Sequence, residues 1–224
     1  GFDSLYVDME HNSFSVDATG QICIAALAMG IAPLVRVPTL DLVGRVLDAG
    51  ALGVIAPHVR SADDARAVVR AAKFPPYGER SAVGGLPHLH YRNFPAAEAN
   101  AALNDVTMVI AMIETVAALD NVEAIAAVPG IDLLLVGTND LTAEMGIAGQ
   151  YDSPQVRDIF ARTIAAARRH GKHVGVGGLA SRADLAAAFV RRGARYVSTG
   201  TDLAFLMGAC TAKAKEVHDM RTAD

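Results

Sequence analysis

The sequence predicts an α/β fold, a parallel (β/α)8 TIM barrel, and three observations carry that expectation. Short β-branched apolar runs alternate along the 224 residues with Ala-rich segments of helical spacing. The strand-like runs are apolar on both faces, as in a parallel sheet covered by helices. Polar and ionisable residues stand at the C-terminal tips of those runs, where a parallel barrel gathers its functional groups.

In order, the strand candidates are "SLYVDME", "APLVRV", "LGVIAPHV", "TMVIAMIE", "DLLLVGT", "HVGVGG" and "RYVSTG". Helix candidates lie between them at 17–29, 41–49, 61–73, 117–127, 154–170, 181–192 and 202–218. Cap-like residues open several of them, such as Ser61 and Ser181, and Gly50, Gly130, Gly171 and Gly193 close others. These candidates make seven strands where a closed barrel needs eight. The chain starts directly in a strand, so the first strand and helix of the barrel are expected to be absent and "LYVDMEH" reads as its second strand. The alternative is an open doubly wound sheet, but no Gly-rich phosphate loop follows the first strand. Residues 1–224 are read as a single domain.

Composition narrows the function. With 52% hydrophobic and 20% charged residues the chain can build a substantial core. A net charge of −4, with arginines scattered among acids, gives no surface for a nucleic-acid backbone. Cys23 and Cys210 are far apart, outside any CxxC pattern, and fit neither a disulfide framework nor a zinc site. The longest apolar stretch, 22–35, is interrupted by Gly30 and Pro33 and is too short for a membrane span. With no leader peptide expected, the cytoplasm is the expected location.

The strand tips bring together Asp8, Glu10 and His11, then Arg36, His58, Glu114, Asn139 and Asp140. Each has an ordinary structural reading: Asp140 as a helix cap, Arg36 as half of a surface ion pair. Converging on one axis, they suggest a site. Glu114 and Asp140 on neighbouring strands suit a hard divalent cation that keeps several waters. Asp8 and Glu10, two residues apart on one strand face, suit the orientation of metal-bound waters. Arg36 offers a planar fork for a carboxylate or enolate oxygen, and His11 can exchange a proton near neutral pH. None of the lysines, Lys73, Lys172, Lys213 and Lys215, stands at a strand tip, so a Schiff-base nucleophile is lacking. The long connection 74–100, with His88, His90, Tyr91 and Arg92, is expected to form a rim loop or lid over the second half of the substrate.

"VDMEH", "PLVRVP", "LDAGALGVIAPHV", "FPPYGERS", "IAMIET" and "GTNDLTAEMG", in this order, resemble the class II pyruvate aldolases of the HpcH/HpaI family. The resemblance implies reversible, metal-dependent aldol cleavage of a 4-hydroxy-2-oxo acid to pyruvate and an aldehyde. It implies Glu114 and Asp140 as ligands of magnesium, manganese or cobalt, and Arg36 as the contact to the pyruvyl oxygen. His11 would handle the proton with Asp48 as its acidic partner, supplied by a neighbouring subunit or an irregular turn. Asp8 would stand near the metal waters, and backbone amides around Gly137, Thr138 and Asn139 would hold the substrate carboxylate. It also implies a dimer-based homo-oligomer or a hexamer, with helix 202–218 a candidate for exchange between subunits. Departures from the family pattern are Met9 for Gly, Thr138 and Asn139 for Pro and Ala, and His58 for an apolar residue. The rival activities are a CoA-thioester lyase, with Arg80 and Arg92 as its basic groups, an oxaloacetate decarboxylase, and a barrel retained only for binding.

Overall fold

All seven expected strands form, and they hydrogen-bond in chain order as one parallel sheet: β1 (Ser4–Asp8), β2 (Ala32–Arg36), β3 (Gly53–Ala56), β4 (Met108–Ile113), β5 (Leu133–Gly137), β6 (His173–Gly177) and β7 (Tyr196–Val197). The structure is a computed structural model and describes residues 1–220. The helices are α1 (Val16–Ala28), α2 (Val43–Asp48), α3 (Ala62–Ala72), α4 (Ala96–Val106), α5 (Val116–Asp120), α6 (Val122–Ala126), α7 (Thr138–Glu144), α8 (Pro154–Arg169), α9 (Ala183–Arg192) and α10 (Asp202–Asp219). Short 3-10 turns precede α2 and occupy Pro87–Leu89. Ser15, Ser61, Thr115, Ser153 and Thr201 cap their helices by accepting a backbone N–H.

The period-2 alternation of the strands divides two cores. Val54, Val109, Ala111, Leu134, Val136, Val174 and Val176 face outward and pack under the helices with Leu47, Val68, Ile125, Phe160 and Phe189. The alternate residues, Leu34, Ile55, Ile110, Met112, Leu133 and Leu135, form a second cluster on the concave face, joined by Tyr6 and Tyr196. Those two tyrosines belong to the two edge strands, so the sheet curls until its edges meet around one cluster. The Ser4 side chain of β1 lies beside the Tyr196 hydroxyl. At Gly175 a Cβ would lie 2.7 Å from the Leu135 side chain, so glycine lets the narrow interior close.

The fold is thus a curled, TIM-like parallel sheet with the seven strands counted from the sequence. Among the described residues β1 and β7 approach through side chains rather than through a backbone ladder.

A correction concerns residues 74–100. This segment follows a helix and leads into a strand, so it returns to the end of the sheet where strands begin. His88 Nε2 lies 2.9 Å from the carbonyl of Ala51, just before β3, and Arg80 donates to Asp48 at the end of α2. It is no rim loop of its own barrel, and its last residues open α4.

Candidate active site

The concave face that carries Tyr6, Leu34, Met112 and Leu135 continues, by the same alternation, to Asp8, Arg36, Glu114 and Gly137 at the strand C-termini. β1 and β2 are in register with Asp8 opposite Arg36. Arg36 is 8% exposed and forks onto Asp8, its Nε donating to Oδ1 at 2.8 Å and its Nη2 to Oδ2 at 2.6 Å. Its Nη1 meets Glu10 Oε2 at 2.9 Å, and its charge lies over the Tyr6 ring. Each Nη keeps one hydrogen free for a further oxygen. Burial alone would raise the carboxyl of Asp8, but the Arg36 hydrogen bonds and charge outweigh it and hold the group below its usual range. Burial would lower the Arg36 guanidinium, yet Asp8, Tyr6 and Glu10 raise it. Asp8 also accepts the backbone N–H groups of Glu10 and His11 and so shapes the turn after β1.

Glu114, one residue past β4, is 4% exposed. Its Oε1 accepts the backbone N–H of His58 at 2.7 Å, and His58 Nδ1 lies 3.2 Å from the same oxygen. His58 Nε2 reaches Glu10 Oε1 at 2.8 Å. Burial, and less so the charges of Asp140 and Glu10, push the Glu114 carboxyl up, against the downward pull of His58. A Cβ at Gly137 would lie 2.7 Å from that of Glu114, so glycine lets the end of β5 come this close. β5 passes directly into α7, which sets Asp140 in the helix's first turn, exposed beside Glu114.

A family model described as HpcH/HpaI aldolase/citrate lyase matches residues 1–209. This chain belongs to the HpcH/HpaI family. It is 44% identical over 183 residues, 80% of this chain and 68% of the relative, to the 4-hydroxy-4-methyl-2-oxoglutarate aldolase tasA of Hapsidospora irregularis. It is 40% identical over 192 residues, 83% of this chain and 70% of the relative, to the 4-hydroxy-4-methyl-2-oxoglutarate aldolase cghB of Chaetomium globosum. The crystal structure of an HpcH/HpaI aldolase from Desulfitobacterium hafniense DCB-2 superposes with a TM-score of 0.89 at 33% identity, covering 97% of this chain and 84% of that one. This HpcH/HpaI member is an enzyme, a carbon–carbon lyase of the aldolase kind.

Of the residues expected in the site, the HpcH/HpaI fold brings Asp8, Glu10, Arg36 and Glu114 into contact or near-contact, with Asp140 beside them. Asp8 is committed to Arg36 rather than turned to solvent. His11 lies beyond the strand, 65% exposed in its side chain, with Nε2 3.8 Å from Glu10 Oε2. Asp48 does not meet His11 within one chain, because α2 ends at the opposite end of the sheet, where Asp48 Oδ1 accepts from Arg80 Nη2 at 2.7 Å. The Thr138 hydroxyl is fully buried and donates to the carbonyl of Gly177, which locks β5 to β6. Asn139 is exposed, and its Oδ1 accepts from the Tyr151 hydroxyl at 2.7 Å. Sequence reasoning gave no role to Tyr151, which lies outside any strand tip, and placed His58 at a strand tip, as a departure from the family pattern, without a role of its own.

Among the described residues no group of three or more His, Cys, Asp or Glu is set to enclose a metal ion. What the tip region offers is a nearly buried carboxylate, Glu114, facing the charges of Asp140 and Glu10. Carboxylate oxygens from two neighbouring strand ends fit a hard divalent ion that keeps much of its water shell.

Proposed function

We propose that this enzyme catalyses reversible, divalent-cation-dependent aldol cleavage of a 4-hydroxy-2-oxo acid, releasing pyruvate, or a substituted pyruvate, and a carbonyl compound. The names of the two fungal relatives suggest 4-hydroxy-4-methyl-2-oxoglutarate as the first substrate to try, in which the second product is also pyruvate. The observation that carries the reading is the Arg36 clamp standing at one strand end with Glu114 and Asp140.

Glu114 and Asp140 would hold Mg2+, Mn2+ or Co2+, whose chemistry when bound is to polarise the 2-oxo group. Arg36, fixed on three of its nitrogens, keeps a hydrogen on each Nη for the 2-oxo oxygen and stabilises the negative charge that gathers there as C3–C4 breaks. His11, directly or through water, takes the C4 hydroxyl proton. The C4 oxygen becomes the carbonyl of the departing product, the C3–C4 electron pair remains as the pyruvate enolate, and the proton returns to C3. Backbone N–H groups at Gly137, Thr138 and Asn139 would hold the substrate carboxylate, and Glu10 supports Arg36. Asp48 would orient His11 only from a second copy of the chain, which fits a homo-oligomer exchanging α10. No helix among the described residues is long and apolar enough to cross a membrane.

Within one chain, the basic groups expected for the CoA-thioester alternative stand away from the strand tips. Arg80 is buried against Phe74 and Asp48, and Arg92 lies on the same connection at the far end of the sheet. A pyruvate-release assay over 4-hydroxy-2-oxo acids, oxaloacetate and a malyl thioester, with Mg2+ or Mn2+ and after chelation, tests the reading. The expected result is metal-dependent release from the 4-hydroxy-2-oxo acids. Full activity in chelator, or turnover of the thioester alone, overturns it.

A further inference from the structure

His58 links the arginine clamp to Glu114. Among the described residues only His58, His90 and Tyr91 are non-glycine residues with positive φ, and His58, at 58°, is the one at a strand tip. That conformation is costly for a residue with a Cβ. Here it turns the His58 backbone N–H and the ring Nδ1 toward one oxygen, Glu114 Oε1, at 2.7 and 3.2 Å. The other ring nitrogen reaches Glu10 Oε1 at 2.8 Å, and Glu10 passes the contact to Arg36 through Oε2 at 2.9 Å. Glu114 Oε1 is therefore engaged twice. Oε2 lies on the Gly137 side, 3.2 Å from where a Cβ of that residue would stand, at the root of the helix that carries Asp140.

We propose that His58 is a positioning residue that holds Glu114 by Oε1, leaves Oε2 as the oxygen offered to the cation, and couples that ligand to Arg36 through Glu10. The inference rests on the cation-dependent reading above and extends it to a residue outside the expected ligand and acid–base set. An apolar side chain at position 58 can span neither carboxylate. Without the ring, Glu10 and Glu114 face each other unbridged, and Glu114 is free to turn both oxygens to a cation or to swing away from it. The imidazole is 62% exposed, so its engagement with two carboxylates does not come from core packing.

The test is Mn2+ titration of chelator-stripped protein by electron paramagnetic resonance, on wild type, His58→Gly, His58→Met and His58→Gln, with thermal melts alongside. His58→Gly keeps the backbone N–H and relieves the positive φ, so it separates the ring from the backbone. His58→Met keeps bulk without hydrogen bonding. Both are expected to weaken Mn2+ binding by about tenfold or more, in the range seen when a group orienting a metal ligand is removed. Both should lower kcat more than they raise KM, and His58→Gln, with one amide donor, should recover part of the affinity. Wild-type Mn2+ affinity in either His58→Gly or His58→Met overturns the inference alone. Failure of the wild type to bind Mn2+ overturns it together with the cation-dependent reading.

Discussion

Arg36 is set before any substrate arrives, because both Asp8 oxygens and one Glu10 oxygen fix its plane. Replacing it with Ala removes a donor aimed at developing charge and is expected to cost about 3 kcal/mol of barrier, read as kcat in pyruvate release. Arg36→Lys should recover little, since an ammonium cannot fork onto Asp8 and still face the substrate. The same pair makes stability pH-dependent. Asp8 is held below its ordinary range in the folded state, so its contribution is present above the unfolded pKa and is lost as pH falls through the folded one. Urea midpoints of wild type should therefore fall on acidification below about pH 4 more steeply than those of Arg36→Ala. Glu114 has the opposite sign. Its folded carboxyl is raised, so its contribution is present below the unfolded pKa and is lost as pH rises through the folded one. In chelator-stripped protein at neutral pH, Glu114→Gln should melt higher than wild type while losing cation-dependent cleavage. A lower melting temperature would show that the ionised carboxylate stabilises the fold.

At the level of elements, the site is a product of strand parity and small residues. Gly137 has an ordinary φ of −85°, so its requirement is space rather than backbone freedom. A Cβ there would stand 2.7 Å from the Glu114 Cβ and 3.2 Å from its Oε2. Gly137→Ala should destabilise the protein by about 1–3 kcal/mol, through overpacking. Urea denaturation would read that cost, and loss of cleavage would report the displaced carboxylate. The strands and their tips were legible because alternation is a local signal: Tyr6, Asp8 and Glu10, or Met112 and Glu114, announce one face of one strand. What was not legible depends on chain direction and on contacts between elements. The 74–100 connection was expected at the rim from its length and composition, yet it follows a helix and so returns to the opposite end. α7 was hidden because it starts inside the strand signal, with Gly137 serving as both strand end and helix cap. The expected helix 117–127 divides into α5 and α6 at Asn121, a break that its apolar spacing does not reveal. The pairing of Asp8 with Arg36 and the bridge of His58 join residues 28 and 56 positions apart, which no local pattern encodes.

For the whole molecule, the unsolved packing lies at α10. Its 18 residues bury no side chain, and Leu203, Phe205, Leu206 and Met207 are all exposed. An isolated helix of that length is marginal in water, and an apolar run of that size on a free surface is unusual. Phe205 stacks on Phe2 at 6.1 Å, which anchors only the start of α10 beside β1. There Phe2, Leu5, Ile22 and Met29 line a second apolar groove against α1. Under the proposed homo-oligomer, a second copy would cover the exposed apolar residues of α10 and of this groove by isologous exchange. Leu203→Asp with Leu206→Asp places charge on α10 without touching the strand tips. Light scattering after size exclusion should then give a smaller species than wild type. If a neighbouring copy also supplies Asp48 to His11, the same double variant should lose kcat while Mn2+ affinity stays unchanged, because Glu114 and Asp140 come from one chain. A double variant of wild-type mass would exclude α10 as the assembling element. A smaller species with full kcat would place the whole proton-transfer machinery within a single chain.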